Sequence, residues 1–367
     1  MEPSYAQARE LVLQHGWNAT AYQILNPGIA HWISEEQRGM VGFVDTGKRL
    51  GRHPGAWIAA GEPVCAEGEV ANVADAFEAA AAQARRRVCW FGADSRLRDI
   101  LGGKPGYSEM VLGAQPVWDP HRWPTILAGK ASLRAQLNRA RNKGITVTKW
   151  TRREAEGNAE LQRCLDEWLH TRGLPALHFL VELQTLHQLE DRWVFVATHD
   201  TSAVGFLVLT PVPARNGWLV EQIIRGKAAP NGTSSLLLNA AMTAAADSGS
   251  TYFTLGLSPL SFRVPASNPN PVWMRALFGW LRAHGRRFYN FQGLEAFKAK
   301  FVPDRWDPIV AITNEPRPSL GTLHAIADAF SGPRSPERLL GRAVFDAVGE
   351  ELRTLSRKFR RSARVSL

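Results

Sequence analysis

The feature that most constrains the fold is a run of three strand-like segments, a loop, a helix and a further strand in the second half of the chain. The strand-like segments are RWVFVATHD, AVGFLVLTPV and GWLVEQIIR, and the residues TS join the first two as a hairpin. The segment TSSLLLNAAMTAAADSG, residues 233–249, is typical of a helix, and TYFTLGLS beyond it predicts a strand. Strands that alternate with helices predict a layered α/β fold with a mixed sheet.

The first part of the chain repeats this theme. An alanine-rich helix over 72–87 is followed by the apolar strand VCWFGA, the helix SRLRDILGG and a strand over 107–119. This order is typical of an acyltransferase-type α/β fold, and two such halves in tandem fit a chain of 367 residues. We predict a first acetyltransferase-like subdomain at 1–125, a second, catalytic subdomain at 126–315, and a linker with a basic tail at 316–367.

The charge of the chain points to a polyanionic partner. The formal net charge is +10, which favours nucleic acid or an anionic membrane surface. The charge is uneven, since residues 353–367 hold six basic residues and no acidic one. Charge that only keeps the protein soluble is the plainer alternative.

Composition disfavours several classes of protein. No apolar run approaches the ~20 residues of a membrane-spanning helix, and the segment MEPSYAQARELVLQHGWN has no apolar signal core. The three cysteines, Cys65, Cys89 and Cys164, are too widely spaced for a metal motif and odd in number for a disulfide framework. We therefore expect a cytoplasmic protein without a bound metal.

The segment EQIIRGKAAPNGT joins the third strand to the helix. Glu221 and Arg225 lie at the strand end, and a loop with Asn231 and Gly232 leads to Thr233, the predicted N-cap. Free backbone N–H groups and the helix dipole make such a helix start an anion site. The glycine spacing with which acyltransferases hold the pyrophosphate of coenzyme A is absent. We expect another phosphate-bearing acyl donor or, alternatively, only a capped helix.

The segment TLGLSPLSF places Ser258 at the end of the next strand, where reactive groups of α/β folds gather. It contains no G-x-S-x-G elbow, and the chain shows no ordered Ser-Asp-His set, so a covalent serine is disfavoured. We keep Ser258 as a candidate substrate-binding residue.

Residues 286–306, RRFYNFQGLEAFKAKFVPDRW, combine aromatic and basic residues at high density. Phe297 and Phe301 are four residues apart and are predicted to face inward on a helix. Lys298 and Lys300 diverge from that face, so one of them can point into a cleft and meet an anion. Aromatic residues that only fill the core and lysines on a solvated surface are the plainer alternative.

Four segments carry a resemblance to a known family: SLRAQLNRARNKGITV, APNGTSSLLLNAAM, TLGLSPLS and FYNFQGLEAFKAKFVPDRWDP. They resemble, in the family's order, the catalytic C-terminal domain of the aminoacyl-phosphatidylglycerol synthases, the phosphatidylglycerol lysyltransferase family. The resemblance runs from about residue 28 to about residue 315. It implies tandem GNAT-type subdomains with mixed sheets, and a tunnel between them that meets a lipid at one end and a charged tRNA at the other. The implied reaction moves an aminoacyl group from aminoacyl-tRNA to a lipid hydroxyl without a cofactor.

This reaction suggests roles for the residues singled out above. An enzyme of this kind must deprotonate the nucleophile, stabilise an oxyanion and protonate the leaving ribose oxygen. We assign catalysis to Glu221, Arg225 and Lys298. Aromatic side chains suit stacking on the unpaired adenine of the tRNA CCA end. The predicted substrate-binding residues are Asn231, Gly232, Thr233, Ser258, Tyr289, Asn290, Lys300, Arg134 and Arg139.

The sequence departs from the family's pattern in three places. The family's membrane-embedded N-terminal half has no counterpart, so we expect no lipid flipping. The usual Asp-Leu-Met-Arg becomes QIIR, with Gln222 where an aspartate is common, and the usual Gly-Glu-Glu-Ala becomes GAQP at 113–116. These two changes leave the acceptor and the amino acid open.

Two other functions are open alternatives. One is a non-catalytic protein of the same fold that binds tRNA or anionic membranes, and the other is an acyl-CoA-dependent acyltransferase.

Residues 336–361 predict a basic amphipathic helix. Such a helix holds a protein on a membrane, here the inner face of the plasma membrane, or packs on the second subdomain, or touches tRNA.

Overall fold

A computed structural model describes most of the chain. The described residues are 5–46, 55–171, 179–182, 184–263, 270–284 and 290–331. The predicted tail helix over 336–361 and the candidate residue Tyr289 lie outside these ranges. No helix within the described residues is both long enough and apolar enough to span a membrane.

The strands of the described residues are the following. They are β1 (Ala30–Ile33), β2 (Gly39–Thr46), β3 (Ala56–Ala60), β4 (Val64–Cys65), β5 (Arg87–Ala93), β6 (Ser108–Trp118), β7 (Ile145–Trp150), β8 (Trp193–His199), β9 (Ser202–Val212), β10 (Gly217–Arg225), β11 (Tyr252–Thr254), β12 (Ser258–Pro259) and β13 (Arg305–Thr313).

The α-helices of the described residues lie between and around these strands. They are α1 (Tyr5–His15), α2 (Val70–Gln83), α3 (Ser95–Leu101), α4 (Trp123–Gly129), α5 (Ala131–Asn142), α6 (Arg152–Ala155), α7 (Ala159–His170), α8 (Thr233–Asp247), α9 (Val272–His284), α10 (Phe291–Ala299) and α11 (Leu320–Ser331).

All the described strands join one mixed sheet. Its main order is β1-β2-β3-β5-β13-β6-β11-β10-β9-β8-β7, with β4 paired to β2 and β12 paired to β6. The pairs β3·β5 and β10·β11 are parallel, and the other pairs are antiparallel. The predicted α/β class with a mixed sheet is therefore confirmed. Strand β13 lies between β5 and β6, so a late segment completes the first half of the sheet, and the division at residue 125 stays a prediction.

Helices cover both faces of the sheet in the second half, which explains the apolar strands there. Leucines and alanines of α8 and α5 pack on one face, and α7 packs on the other. Eight consecutive residues of β9, Ala203–Thr210, are consequently buried. A strand buried on both faces reads as a continuous apolar run rather than an alternating one. This is why AVGFLVLTPV was recognisable in the sequence.

The strand predicted over TYFTLGLS is shorter in the structure. Strand β11 ends at Thr254, and the chain then turns at Gly256, whose φ of +67° lies in the left-handed region that glycine adopts readily. Residues Ser258 and Pro259 instead pair with β6 as β12. The break moves the chain away from β10, and that divergence creates the candidate site.

Candidate active site

Strands β10 and β11 run together for three residues and then separate. Gly217–Leu219 pair with Tyr252–Thr254, whereas β10 continues beside β9 as far as Arg225. A β-bulge at Glu221, between Val220 and Gln222, interrupts the pairing of β10 with β9. Bulges bend a strand and re-aim its side chains, and they are frequent next to active sites. We call the region between β10 and the segment that follows β11, where the two strands no longer pair, the cleft.

Lys298 of α10 points at this segment. Its Nζ donates hydrogen bonds to the carbonyl oxygens of Gly256 (2.8 Å) and Leu257 (2.9 Å). The side chain is buried, and burial lowers the pKa of the Lys298 amine to about 7. A neutral amine has two N–H donors, which these carbonyls can take up, and one lone pair. Lys298 is therefore placed to accept a proton near neutral pH.

The helix that carries Lys298 is fixed at both ends. The Asn290 side chain caps α10 and accepts a hydrogen bond from the Gly293 amide at 2.9 Å. Phe301 is buried and packs edge-to-face on Phe297, with ring centroids 5.2 Å apart. The inward-facing aromatic pair predicted from the sequence is thus present, and Asn290 acts here as a helix cap.

The spacing predicted that Lys300 turns away from the aromatic face, and this is wrong: its Nζ lies over the rings of Phe297 and Phe301, 4.6 Å and 4.7 Å from their centroids. Its Nζ donates to Ser235 Oγ at 2.9 Å and to Gln136 Oε1 at 3.3 Å, which links α10 to α8 and α5. Burial lowers the pKa of Lys300. Of the two lysines, Lys298 is the one beside the β10–β11 divergence, and its burial makes it a poor contact for the phosphates of a large partner.

Glu221 forms a buried ion pair that the sequence did not reveal. Arg192 Nε lies 2.8 Å from Glu221 Oε2, and the two side chains are only 3% and 5% exposed. A second Arg192 nitrogen donates to Glu221 Oε1 at 3.3 Å, so the pair is bidentate. The Arg192 guanidinium also lies over the ring of Tyr22, 4.9 Å from its centroid. Glu221 is thus held at the junction with the first half of the chain.

Arg192 was missed because its partner is 29 residues away along the chain. It directly precedes β8, and nothing in EDRWVFVATHD marks it as different from a solvated charge at a strand start. Burial and pairing of this kind depend on tertiary contacts that local pattern does not encode.

Gln222 takes a different direction from Glu221. Its Oε1 accepts a hydrogen bond from Thr185 Oγ1 at 3.0 Å, and its Nε2 donates to the Glu182 carbonyl at 2.9 Å. The side chain is buried, at 6% exposure. A carboxylate at this position has no N–H to donate to the Glu182 carbonyl. The glutamine therefore suits its surroundings, which explains the departure from the family's aspartate at this position.

Arg225 is exposed at the end of β10. One of its guanidinium nitrogens lies 3.4 Å from Asn231 Oδ1, and Asn231 is exposed as well. These two candidate residues are therefore brought together, with the guanidinium free to reach a large solvent-borne partner.

The first turn of α8 is covered. Thr233 is not the N-cap predicted from the sequence: Gly232 occupies that position with φ +104°, and Thr233 Oγ1 donates to the Pro230 carbonyl at 2.8 Å. A Cβ on Gly232 would lie 2.8 Å from the Gln136 carbonyl oxygen, so α5 packs directly on this turn. Asn231, just before this turn, is exposed, and the anion site expected at the start of α8 stays a prediction.

The other candidates are spread around the cleft. Ser258 is buried on β12, and its Oγ has no hydrogen-bond partner within the described part of the chain. Arg134 is exposed, and its guanidinium donates back to the Leu127 carbonyl at 2.7 Å. Arg139 is exposed on the same helix, α5. Ser258 directly follows Leu257, which contacts Lys298, so these two candidates lie close together.

A pocket of about 460 Å³ lies between the two halves and was not anticipated. Its lining includes Arg98, Arg215 and Arg305, together with Asp94 and Tyr252. Arg215 forms a buried ion pair with Asp94 and lies 4.8 Å from the centre of the Tyr252 ring. Each arginine already has a carboxylate partner, so the charges in this pocket largely balance.

The described residues contain no group of three or more His, Cys, Asp or Glu side chains that can hold a metal ion. The cleft therefore offers organic groups, chiefly the Lys298 amine and the Ser258 hydroxyl. The mixed sheet, the diverging strands and the helix that follows β10 define an acetyltransferase-like, GNAT-type α/β fold.

Within this class, the chain belongs to the family "Phosphatidylglycerol lysyltransferase, C-terminal", whose model matches residues 9–311. A search of curated protein sequences found no match. Membership of this family supports a transferase of the phosphatidylglycerol lysyltransferase type.

Three solved structures share the fold. The C-terminal domain of a protein assigned as a lysylphosphatidylglycerol synthetase from Agrobacterium fabrum is 23% identical with a TM-score of 0.72, and the match covers 89% of this chain and 97% of that one. L-PGS from Bacillus licheniformis is 20% identical with a TM-score of 0.70, and the match covers 91% and 98%. A conserved protein of unknown function from Bacteroides thetaiotaomicron is 14% identical with a TM-score of 0.58, over 85% and 98%.

Proposed function

We propose that this protein transfers an aminoacyl group from an aminoacyl-tRNA to the hydroxyl group of a lipid such as phosphatidylglycerol. The observation that carries the proposal is the buried Lys298 amine, with its pKa near 7, at the point where β10 and β11 separate. Family membership supports the transferase class, and the net charge of +10 supports two polyanionic substrates.

The proposed reaction exchanges one ester for another. The lipid hydroxyl oxygen attacks the carbonyl carbon of the aminoacyl ester, and the neutral Lys298 amine accepts the hydroxyl proton. The tetrahedral intermediate then collapses, the bond to the tRNA ribose oxygen breaks, and the Lys298 ammonium returns the proton to that oxygen. The Ser258 hydroxyl, buried without a partner among the described residues, is available to donate to the oxyanion.

Donor binding is assigned to the exposed cations around the cleft. Arg225, Arg134 and Arg139 are all exposed and are suited to tRNA phosphates. Lys298 does not contribute to phosphate binding because it is buried. The glycine spacing with which acyltransferases hold the pyrophosphate of coenzyme A is absent from the loop before α8, which disfavours coenzyme A as donor.

The test is to incubate the full chain with labelled aminoacyl-tRNA and phosphatidylglycerol vesicles. Label that becomes lipid-soluble, with the expected mass of an aminoacyl ester, supports the proposal. Retention of aminoacyl-tRNA without transfer instead identifies a binding protein. Label that reaches an acceptor only from acyl-CoA identifies an acyl-CoA-dependent enzyme. Either of the last two results overturns the proposal.

Arg225→Lys is expected to lower the transfer rate by roughly tenfold, because lysine keeps the charge but cannot form two parallel hydrogen bonds to phosphate or carbonyl. Arg225→Ala is expected to weaken donor binding and to flatten its salt dependence by about one unit of slope. Initial transfer rates measure the effect of Arg225→Lys. Filter binding of aminoacyl-tRNA over a series of salt concentrations measures the effect of Arg225→Ala. The exposure of Arg225 predicts an unchanged unfolding midpoint.

Arg153→Lys is the matched control, since Arg153 lies exposed on α6 and is not among the residues assigned to donor binding. A smaller effect than that of Arg225→Lys is expected. Wild-type turnover in Arg225→Lys would remove Arg225 from the site.

A further inference from the structure

Helix α9 exposes an unusual amount of apolar surface. Val272 is 72% exposed and Trp273 is 40% exposed, and Phe262, shortly before the helix, is 71% exposed. Within α9, all of which the structure describes, Met274 is the one buried residue. Val272 and Trp273 are neighbours at the start of α9, whereas Phe262 lies near its other end, with its ring centroid 4.4 Å from the Arg282 guanidinium. Large apolar residues that are exposed along one helix mark an interaction surface.

Helix α9 carries apolar residues on two faces. Met274 and Phe278 face the core of the first half. Val272, Trp273, Ala276 and Trp280 follow helical spacing on the other side, where the first three are exposed and Trp280 is half-buried. The inner face is therefore used in packing, and Val272 and Trp273 on the outer face stay exposed within the described part of the chain.

Arginines outnumber carboxylates around this helix. Between residues 248 and 294 the sequence has five arginines and no acidic residue. Arg275 is exposed on α9 itself. Arg263 and Arg282 share one carboxylate, that of Glu295, at 3.3 Å and 3.0 Å. The surface is thus apolar, rich in tryptophan and positively charged.

We propose that α9, together with Phe262, docks the protein on an anionic bilayer surface. Tryptophan is enriched at the level of lipid headgroups, and a helix with apolar and basic residues lies in that interface. Arginines near an anionic leaflet add electrostatic attraction. The charge complementarity selects a negatively charged lipid surface rather than a neutral one.

The position of α9 fits this partner. Arg282 donates to the Leu260 carbonyl at 2.9 Å, directly beyond β12, and its partner Glu295 lies on the helix that carries Lys298. A bilayer touching α9 is therefore next to the cleft. The inference deepens the proposed function, on which it rests for the identity of the acceptor, but docking is measurable without any transfer.

The test compares sedimentation of the full-length protein with two kinds of vesicle, phosphatidylcholine alone and phosphatidylcholine mixed with phosphatidylglycerol. The variant Val272→Ser/Trp273→Ser changes two exposed residues, and circular dichroism verifies its fold. Its apparent affinity for the anionic vesicles is expected to fall about tenfold or more. The control variant Tyr5→Ser/Leu320→Ser changes two exposed apolar residues elsewhere and is expected to bind as the wild type does.

Two results would overturn the docking surface. One is unchanged vesicle binding by Val272→Ser/Trp273→Ser, as expected if another segment of the chain covers α9 or anchors the protein. The other is a variant that loses retention of tRNA while its vesicle binding persists, which would assign this face to nucleic acid.

A transfer assay separates this inference from the proposed function. With detergent-dispersed phosphatidylglycerol as acceptor, the variant is expected to transfer at the wild-type rate, whereas with vesicles its rate falls. A wild-type protein that binds anionic vesicles through α9 but transfers to no lipid would refute the proposed function and leave the docking surface standing.

Discussion

Replacing Lys298 by methionine is expected to reduce aminoacyl transfer by about 10²- to 10⁴-fold, the usual contribution of a positioned general base. Methionine is also unbranched and fills a similar volume, so the buried site keeps its packing. The two carbonyls that Lys298 contacts lose their hydrogen-bond donor. The rate falls because the reacting hydroxyl loses its proton acceptor. Initial rates with labelled aminoacyl-tRNA and phosphatidylglycerol vesicles measure the loss.

The pH dependence gives this prediction a second readout. Burial lowers the pKa of Lys298 from 10.5 to about 7, so the wild-type rate is expected to rise through about pH 7 and then level off. Between about pH 7 and 10.5 the unfolded chain holds a proton that the folded chain has lost. Stability is therefore expected to increase with pH across that window, and Lys298→Met removes this increase.

Lys300→Met is the matched control for Lys298→Met. Lys300 is partly buried two residues away and contacts Ser235 and Gln136 rather than the cleft backbone. Its replacement is expected to leave the pH profile of transfer in place. Full activity in Lys298→Met, or a rate that does not change with pH near 7, would contradict the role given to Lys298.

Arg192→Met is expected to destabilise the protein by about 3–5 kcal/mol, because it leaves the Glu221 carboxylate buried and unpaired. Both side chains are at most 5% exposed, so water cannot replace the lost partner. The double variant Arg192→Met/Glu221→Leu removes both charges and is expected to recover most of the loss. Urea unfolding followed by circular dichroism measures the free energy of unfolding of each variant.

The exposed pair Arg152 and Glu156 serves as the comparison. Arg152→Met is expected to change the unfolding midpoint very little, because solvent screens that pair and its side chains are mobile. These experiments also decide the role of Glu221. If Arg192→Met keeps the wild-type stability but loses transfer, then Glu221 belongs to the chemistry, as the sequence suggested, and the structural pair is the wrong description.

The order of strands and helices was predictable because its signals are local. The hairpin of β8 and β9, strand β10, helix α8 and strand β11 follow from apolar periodicity and turn residues within short windows. The end of β11 was not predictable in the same way. TYFTLGLS contains no charged residue, and only pairing with β6 shows that its last residue belongs to a separate short strand.

The candidate site was predictable in part. The spacing of Phe297 and Phe301 indicated an inward aromatic pair, and that pair is present. The same spacing wrongly turned Lys300 away from the aromatic face, since its Nζ lies over both rings. The spacing did not show which lysine is buried, since that depends on α8 and α5 on one side and on the end of β11 on the other.

The amino-acid sequence by itself determined the α/β class, the order β8, β9, β10, α8 and β11, and the resemblance to the family, because these reside in local patterns and short motifs. The tertiary structure decided the rest. A bulge in β10 sends Glu221 to Arg192 and the adjacent Gln222 to Thr185. Burial, rather than residue type, turns Lys298 from a surface cation into a candidate base. Both outcomes rest on contacts between residues far apart in the chain, and the free energy of desolvating a charge is set only when those contacts form.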